Sequence, residues 1–136
     1  MTAEPSNLVT DFLKSHRLGV LATGRRDGSP QQAIIAFNFS GTDIAISTGA
    51  DSAKAKNTRR LARVSLAVVD GPRAVVVYGQ ARVLRGEEAA AYDERLDRSR
   101  LAQPGDAAPA RPQRQQQGER VVLLVTPERY LANRLE

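Results

Sequence analysis

The chain contains no cysteine, which excludes a disulfide framework, a thiol nucleophile and a thiolate-held metal. Its single histidine, His16, sits where a first helix hands over to a first strand and reads as a surface or capping residue rather than a proton donor. There is no Ser-His-Asp arrangement, no metal-ligand cluster and no G-x-G-x-x-G after a strand, so the catalytic residues are unassigned and no metal is expected. No apolar run approaches the roughly 20 residues that span a bilayer. The N-terminus, Met1 to Ser6, lacks a basic segment followed by an apolar one, so a soluble, unexported cytoplasmic protein without a membrane partner is expected. Aromatic residues are few, three Tyr and three Phe, and several of them read as core. That leaves little to stack on bases, and nucleic acid is not an expected partner.

Lysine is also scarce. Only Lys14, Lys54 and Lys56 are present against seventeen arginines. With abundant Ala and Val, that skew is what a GC-rich coding sequence produces, so the arginine excess by itself needs no functional reading. What does stand out is where two of the three lysines fall. The stretch Asp51 to Val64 carries Lys54, Lys56, Arg59, Arg60 and Arg63 in a helical pattern after a strand-like run, Thr42 to Thr48. Asp51 or Ser52 can cap that helix, because a short oxygen-bearing side chain accepts from the free N–H groups of the first turn. Those N–H groups and the positive end of the helix dipole favour an anion there. The net charge of +5 and pI near 10.2 agree with an anionic partner without specifying it.

At 136 residues the chain is one domain, 1–136, large enough to bury a core. Ser6 caps a short helix with Leu8, Val9, Phe12 and Leu13 as its apolar stripe. Leu18 to Thr23 is a strand, and Asp27-Gly28 turns it into a hairpin. The return strand, Pro30 to Phe39, is nearly continuous in apolar residues from Ala33 to Phe37, which predicts burial on both faces. Ile44 and Ile46 mark a third strand, Arg63 to Val69 a fourth and Ala74 to Leu84 a fifth, in which Gly79 signals a bulge or a close approach. Glu87 to Leu101 is helical and should lie on the barrel surface. The Pro- and Gln-rich segment 102–118 is expected to be a flexible loop. Glu119 to Thr126 is a sixth strand that Pro127 should end. Tyr78 and Phe37 are expected in the core. Six mostly antiparallel strands with a few helices predict a mainly β fold, a small barrel rather than a sandwich.

Four pieces, in this order, resemble the flavin and deazaflavin split-barrel oxidoreductases, the pyridoxamine 5′-phosphate oxidase superfamily. They are Leu18-Gly-Val-Leu-Ala-Thr23, Asp27-Gly-Ser-Pro-Gln31, Ser47-Thr48 leading to Ala53-Lys-Ala-Lys-Asn-Thr-Arg-Arg-Leu-Ala-Arg-Val-Ser-Leu66, and Val77-Tyr-Gly-Gln-Ala-Arg-Val83. The resemblance covers about residues 8–84 and, weakly, the last strand. It implies a six-stranded antiparallel split β-barrel of the FMN-binding type. A short N-terminal helix precedes the strands, the basic helix lies between strands 3 and 4, and another helix lies between strands 5 and 6. It also implies a homodimer with the cofactor groove at the interface.

The FMN-binding oxidases begin the basic stretch Ser-Arg-Lys, whereas these positions read Ser52-Ala53-Lys54. Where they place a Gln near the start of the fifth strand this chain has Ala74, and where they end Arg-Leu-x-Pro it ends Arg134-Leu135-Glu136. The stretch is closer to the Ala-Lys-x-Lys/Arg-Asn-x-Arg-Arg form of the branch that uses coenzyme F420, a deazaflavin with a phosphate and an oligoglutamate tail. That resemblance implies a reductase passing a hydride from reduced F420 to a small conjugated molecule such as a tetrapyrrole, quinone or enone. The alternative is an FMN-binding split-barrel oxidase or flavin carrier. By the same resemblance Lys54 and Asn57 meet the phosphate, Lys56 and Arg60 meet the tail, and Ser47, Thr48 and Ser52 offer hydroxyls. The strand from Gln31 to Ala36, with Gln32, Ala33 and Ile34 as its site residues, lies beneath the rings. On a continuous helix Lys56, Arg60 and Arg63 would share one stripe.

Overall fold

A computed structural model describes residues 4–101 and 118–136. Its elements are α1 (Asn7–Lys14), β1 (Leu18–Gly24), β2 (Pro30–Ala36), β3 (Asn38–Phe39), β4 (Ile44–Gly49), α2 (Ala53–Arg60), β5 (Arg63–Asp70), β6 (Arg73–Leu84), α3 (Gly86–Leu101) and β7 (Arg120–Asn133). Every strand pairing is antiparallel, in one seven-stranded sheet of order β2-β1-β5-β6-β7-β4-β3. The sheet curls so that one face encloses the main core. From the strands, Leu21, Ile44, Ile46, Leu66, Val68, Val75, Val77, Val121, Leu123 and Val125 point inward, and Phe12 and Leu13 of α1 pack against them. A mainly β split barrel is therefore the fold, with seven strands where the sequence reads as six.

The extra strand arises at Phe37. Its N–H is given to the Arg17 carbonyl at 2.8 Å, which breaks the run Pro30 to Phe39 into β2, paired with β1, and β3, paired with β4. One residue therefore joins the two outer edges of the sheet. The expected burial on both faces fails here, because β2 is an edge strand with one covered face: Ile35 and Phe37 are buried, while Ile34 is 78% exposed. Both-face burial belongs instead to β7. Val121, Leu123 and Val125 enter the inner core, and Val122 and Leu124 pack with Ala45, Leu84 and Ala89 beneath α3.

Pro127 does not end β7. The strand continues to Asn133, and Pro127 sits opposite Gly79 at a register shift between Tyr78 and Gly79. A proline lacks the ladder N–H and is tolerated in a strand where a bulge interrupts the pairing. The glycine makes the approach possible, since a Cβ at position 79 would lie 2.3 Å from the Thr126 carbonyl oxygen. Tyr78 lies on the outer face rather than in the core, with the Arg129 guanidinium 4.6 Å from its ring centroid; Phe37 is buried as expected.

α1 starts as its sequence dictates. Ser6 Oγ accepts from the Val9 N–H at 3.2 Å, and Val9, Phe12 and Leu13 form its buried face. His16 fastens the other end. Its Nδ1 lies 2.6 Å from the Phe12 carbonyl oxygen and its Nε2 3.0 Å from Asp70 Oδ2. Arg73 Nη2 meets the same carboxylate oxygen at 2.8 Å. His16 is a structural clip between α1 and the β5–β6 turn. Of the segment 102–118, read as a flexible loop, residues 102–117 lie outside the described residues. No helix among the described residues is long and apolar enough to cross a membrane.

Candidate anion-binding site

Gly49 ends β4, and the chain turns through Ala50 and Asp51 into α2. Ser52 is the N-cap, in extended conformation, and its Oγ accepts from the Ala55 N–H at 3.2 Å. Thr48 Oγ1 donates to Ser52 Oγ at 3.0 Å, so these two hydroxyls are engaged with each other and with the cap. The Ala50 N–H binds the Glu119 carbonyl oxygen at 2.9 Å, tying the turn to the residue that precedes β7. Strand alternation puts Ser47 on the opposite face of β4 from Thr48. There Ser47 Oγ accepts from Arg120 Nη2 at 3.0 Å. Arg120 is the ladder partner of Gly49.

Lys54, in the first turn of α2, is half-buried. Burial, and then the charge of Arg120, hold its amine below the ordinary lysine value. A half-buried cation thus stands at the start of a helix, where the free N–H groups and the dipole favour an anion.

The remaining cations of α2 face elsewhere. Arg59 Nη1 donates to the Ala50 carbonyl oxygen at 3.0 Å, bracing the turn. Arg60 Nη2 donates to the Gly24 carbonyl oxygen and, at 3.1 Å, to Asn57 Oδ1. Asn57 is buried, and its Nδ2 donates to Thr23 Oγ1 at 3.0 Å. Thr23 in turn donates to Gln31 Oε1 at 3.1 Å. Asn57 and Arg60 therefore belong to a polar relay that seats α2 on the β1–β2 hairpin. Lys56 is exposed. The helix ends at Arg60, with Leu61 extended, so Arg63 lies on β5 and shares no helical stripe with Lys56 and Arg60.

Thr48 and Ser52 are accordingly joined at the start of α2, where Lys54 also stands, while Ser47 lies on the opposite face of β4 and is held by Arg120. Gln32, Ala33 and Ile34 lie apart from the helix start on the edge strand β2. Gln32 and Ile34 are exposed on the outer face, and Ala33 is packed against the core. The Arg60–Asn57–Thr23–Gln31 relay connects α2 to that strand. Arg120 and Thr23 are the residues that sequence reasoning misses, and Gln31, expected beneath the rings, is instead held by Thr23. Arg120 is recognisable only once the β4–β7 register is known, since 73 positions separate it from Ser47.

No group of His, Cys, Asp and Glu able to hold a metal occurs among the described residues. The solved structures that resemble the chain share its fold. A structure named F420 reductase superposes with a TM-score of 0.72 at 21% identity, covering 93% of this chain and 98% of its own. A conserved hypothetical protein of Mycobacterium tuberculosis gives a TM-score of 0.77 at 26% identity, with 99% and 88% covered. General stress protein 26 of Bacillus anthracis gives 0.68 at 20%, with 93% and 91% covered. No curated protein matches the sequence. A sequence family described as pyridoxamine 5′-phosphate oxidase matches residues 7–134, most of the chain. With the curled antiparallel sheet and the cationic corner on α2, that match makes this protein a member of the pyridoxamine 5′-phosphate oxidase family.

Proposed function

We propose that the protein is an F420-dependent reductase that passes a hydride between the deazaflavin and a small conjugated organic molecule. The observation that carries this reading is the composition of the α2 corner. Lys54 stands half-buried at the helix start, Ala53 replaces the arginine of the FMN-type Ser-Arg-Lys, and the further cation Lys56 is exposed along the helix. A phosphate followed by an oligoglutamate tail suits this spacing better than a terminal phosphate alone. The fold neighbour named F420 reductase supports the same reading.

When bound, the deazaflavin supplies a hydride from its ring carbon, so the chain itself needs no nucleophile. Its residues bind and orient. Lys54 holds the phosphate. Lys56 attracts the tail, and the edge strand β2 offers its outer face, with Gln32 and Ile34, to the rings, while Ala33 packs toward the core behind them. Thr48 and Ser52 keep the cap in place, and Asn57 and Arg60 keep α2 at a fixed distance from that strand.

The same reading includes a homodimer. On the outer face, Ile34, Val20, Ala67, Val76 and Leu131 are consecutive ladder partners across five strands. Ile34 is 78% and Leu131 55% exposed, with Leu18 and Val69 exposed beside them. An apolar row of this kind favours burial against a second copy by two-fold symmetry. It runs into β2, which would place the ring bed beside the interface.

Binding decides the matter. Purified protein should quench the fluorescence of added F420 and leave FMN unbound, with affinity falling as salt rises. A yellow preparation that releases FMN on denaturation overturns the reading in favour of an FMN-binding split barrel. Light scattering should give a dimer that Ile34→Glu splits, and a monomeric wild type would refute the assembly.

A further inference from the structure

We propose that Arg129, held over the Tyr78 ring, recognises a carboxylate on the substrate, so that the molecule reduced is a conjugated carboxylate whose charged end lies away from the reacting bond. The proposal rests on the reductase reading for the position of the rings on β2, and it narrows the substrate class beyond that reading.

The pair lies on the same line of the sheet as the strand offered to the rings. Gln32, Ala22, Ser65, Tyr78 and Arg129 are consecutive ladder partners across β2, β1, β5, β6 and β7. All five are on the outer face and none is buried. Neighbouring strands lie about 4.8 Å apart, which puts Tyr78 about 14 Å from Gln32 along the sheet. Between them stand only Ala22 and Ser65, side chains too short to interrupt a flat molecule. The apolar row through Ile34 and Leu131 runs alongside, so the line borders the face on which the homodimer is proposed. A substrate whose reducible end rests at Gln32 can lay its apolar body along this border and bring its far end to Arg129.

The chemistry at that end is suited to a carboxylate. The Arg129 guanidinium is 4.6 Å from the Tyr78 ring centroid, and a guanidinium steadied by a ring loses less freedom when it binds a planar, two-oxygen anion. Arg73 shows the arrangement completed within the fold: it lies 5.3 Å from the Phe12 ring centroid and also meets Asp70 Oδ2 at 2.8 Å. Arg129 has the ring, and among the described residues no carboxylate pairs with it. Glu128, its neighbour in sequence, accepts from Gln80 Nε2 at 3.5 Å instead. Tyr78 is 37% exposed, so the ring itself is open to the body of a conjugated ligand.

The test compares one conjugated probe in charged and neutral form. Anthraquinone-2-carboxylate and anthraquinone-2-carboxamide are titrated calorimetrically into wild type, Arg129→Met, Arg129→Lys and Tyr78→Leu, with F420 present and absent. Light scattering and melting temperature are recorded for each protein. Wild type should bind the acid about fivefold or more tightly than the amide, a preference that shrinks as salt rises. Arg129→Met should bring the two within about twofold by weakening the acid alone. Arg129→Lys should keep an intermediate preference, and Tyr78→Leu should weaken both probes while reducing the preference. A wild type that in both states binds neither probe, or binds them equally, overturns the proposal, as does a preference that survives in Arg129→Met. An Arg129→Met protein that becomes monomeric and loses both probes equally also overturns it, giving Arg129 to the contact with a second copy. F420 that fails to bind refutes the proposed cofactor alone, because the series without it still tests Arg129.

Discussion

Asn57 Nδ2 donates to Thr23 Oγ1 at 3.0 Å across 34 positions of sequence, with both residues buried. The contact fixes α2 to β1, and through Gln31 to the edge strand, so a helix of eight residues holds a set position over a curved sheet. Asn57→Ala removes the donor to Thr23 and the acceptor of Arg60 together. It should cost about 2 kcal/mol of stability, read as a lower denaturation midpoint. Cofactor affinity should fall in step with the misplacement of α2 and equally for phosphorylated and phosphate-free ligands.

Lys54 should behave in the opposite way. Its amine is held below 10.5 by burial and by Arg120, so at neutral pH its charge is a burden on the fold. The unfolded chain binds the proton more tightly, and stability attributable to this group therefore rises as pH climbs through its folded value toward 10.5. Lys54→Met should raise the melting temperature of the ligand-free protein at neutral pH, with the gain shrinking as pH approaches 10.5, and should weaken F420 binding about tenfold or more. A destabilised variant would show that the ammonium has a structural partner.

Gly79→Ala tests the bulge. The new methyl would meet the Thr126 carbonyl oxygen at 2.3 Å and the Pro127 Cα at 3.1 Å, both backbone atoms that can retreat only by opening the β6–β7 ladder. A loss of at least about 3 kcal/mol is expected, measurable by urea denaturation. A variant with wild-type stability would refute the close approach.

Acid sensitivity should centre on Asp70. Hydrogen bonds from His16 first, and Arg73 second, hold its carboxyl below the ordinary value of 3.8. A depressed carboxylate contributes stability that is present above its unfolded value and is lost as pH falls through the folded one. Asp70→Asn should therefore lower the melting temperature at neutral pH, and the gap to wild type should close below pH 3.8. A gap that persists in acid would mean that packing, not charge, is lost.

Features set by local chemistry were readable without the fold. Ser6 and Ser52 mark their helices because an N-cap needs only the following turn, and Asp27-Gly28 marks its hairpin because the turn needs only its own dihedral angles. Ordered pieces of sequence sufficed to suggest the barrel. What escaped depends on pairing between distant segments. Pro127 reads as a stop until Gly79 stands across from it. The run from Ala33 to Phe37 reads as doubly buried until Arg17 takes the Phe37 N–H and leaves β2 on an edge. Asn57 reads as a surface donor until Thr23 meets it, and Arg120 carries no signal at all until β7 is set against β4.

The placement of β7 has a consequence for how the molecule comes into being. The last strand in sequence lies inside the sheet, between β6 and β4, so hairpins β1–β2 and β5–β6 have local partners early while β4 and β6 each wait with an open edge. During synthesis those edges stay unpaired until residues 120–133 have emerged, which makes the interval before their emergence a period of exposure to aggregation. The strand that closes the barrel also brings the Glu119 carbonyl oxygen to the Ala50 N–H, so the turn into α2 is fastened in the same event that completes the sheet.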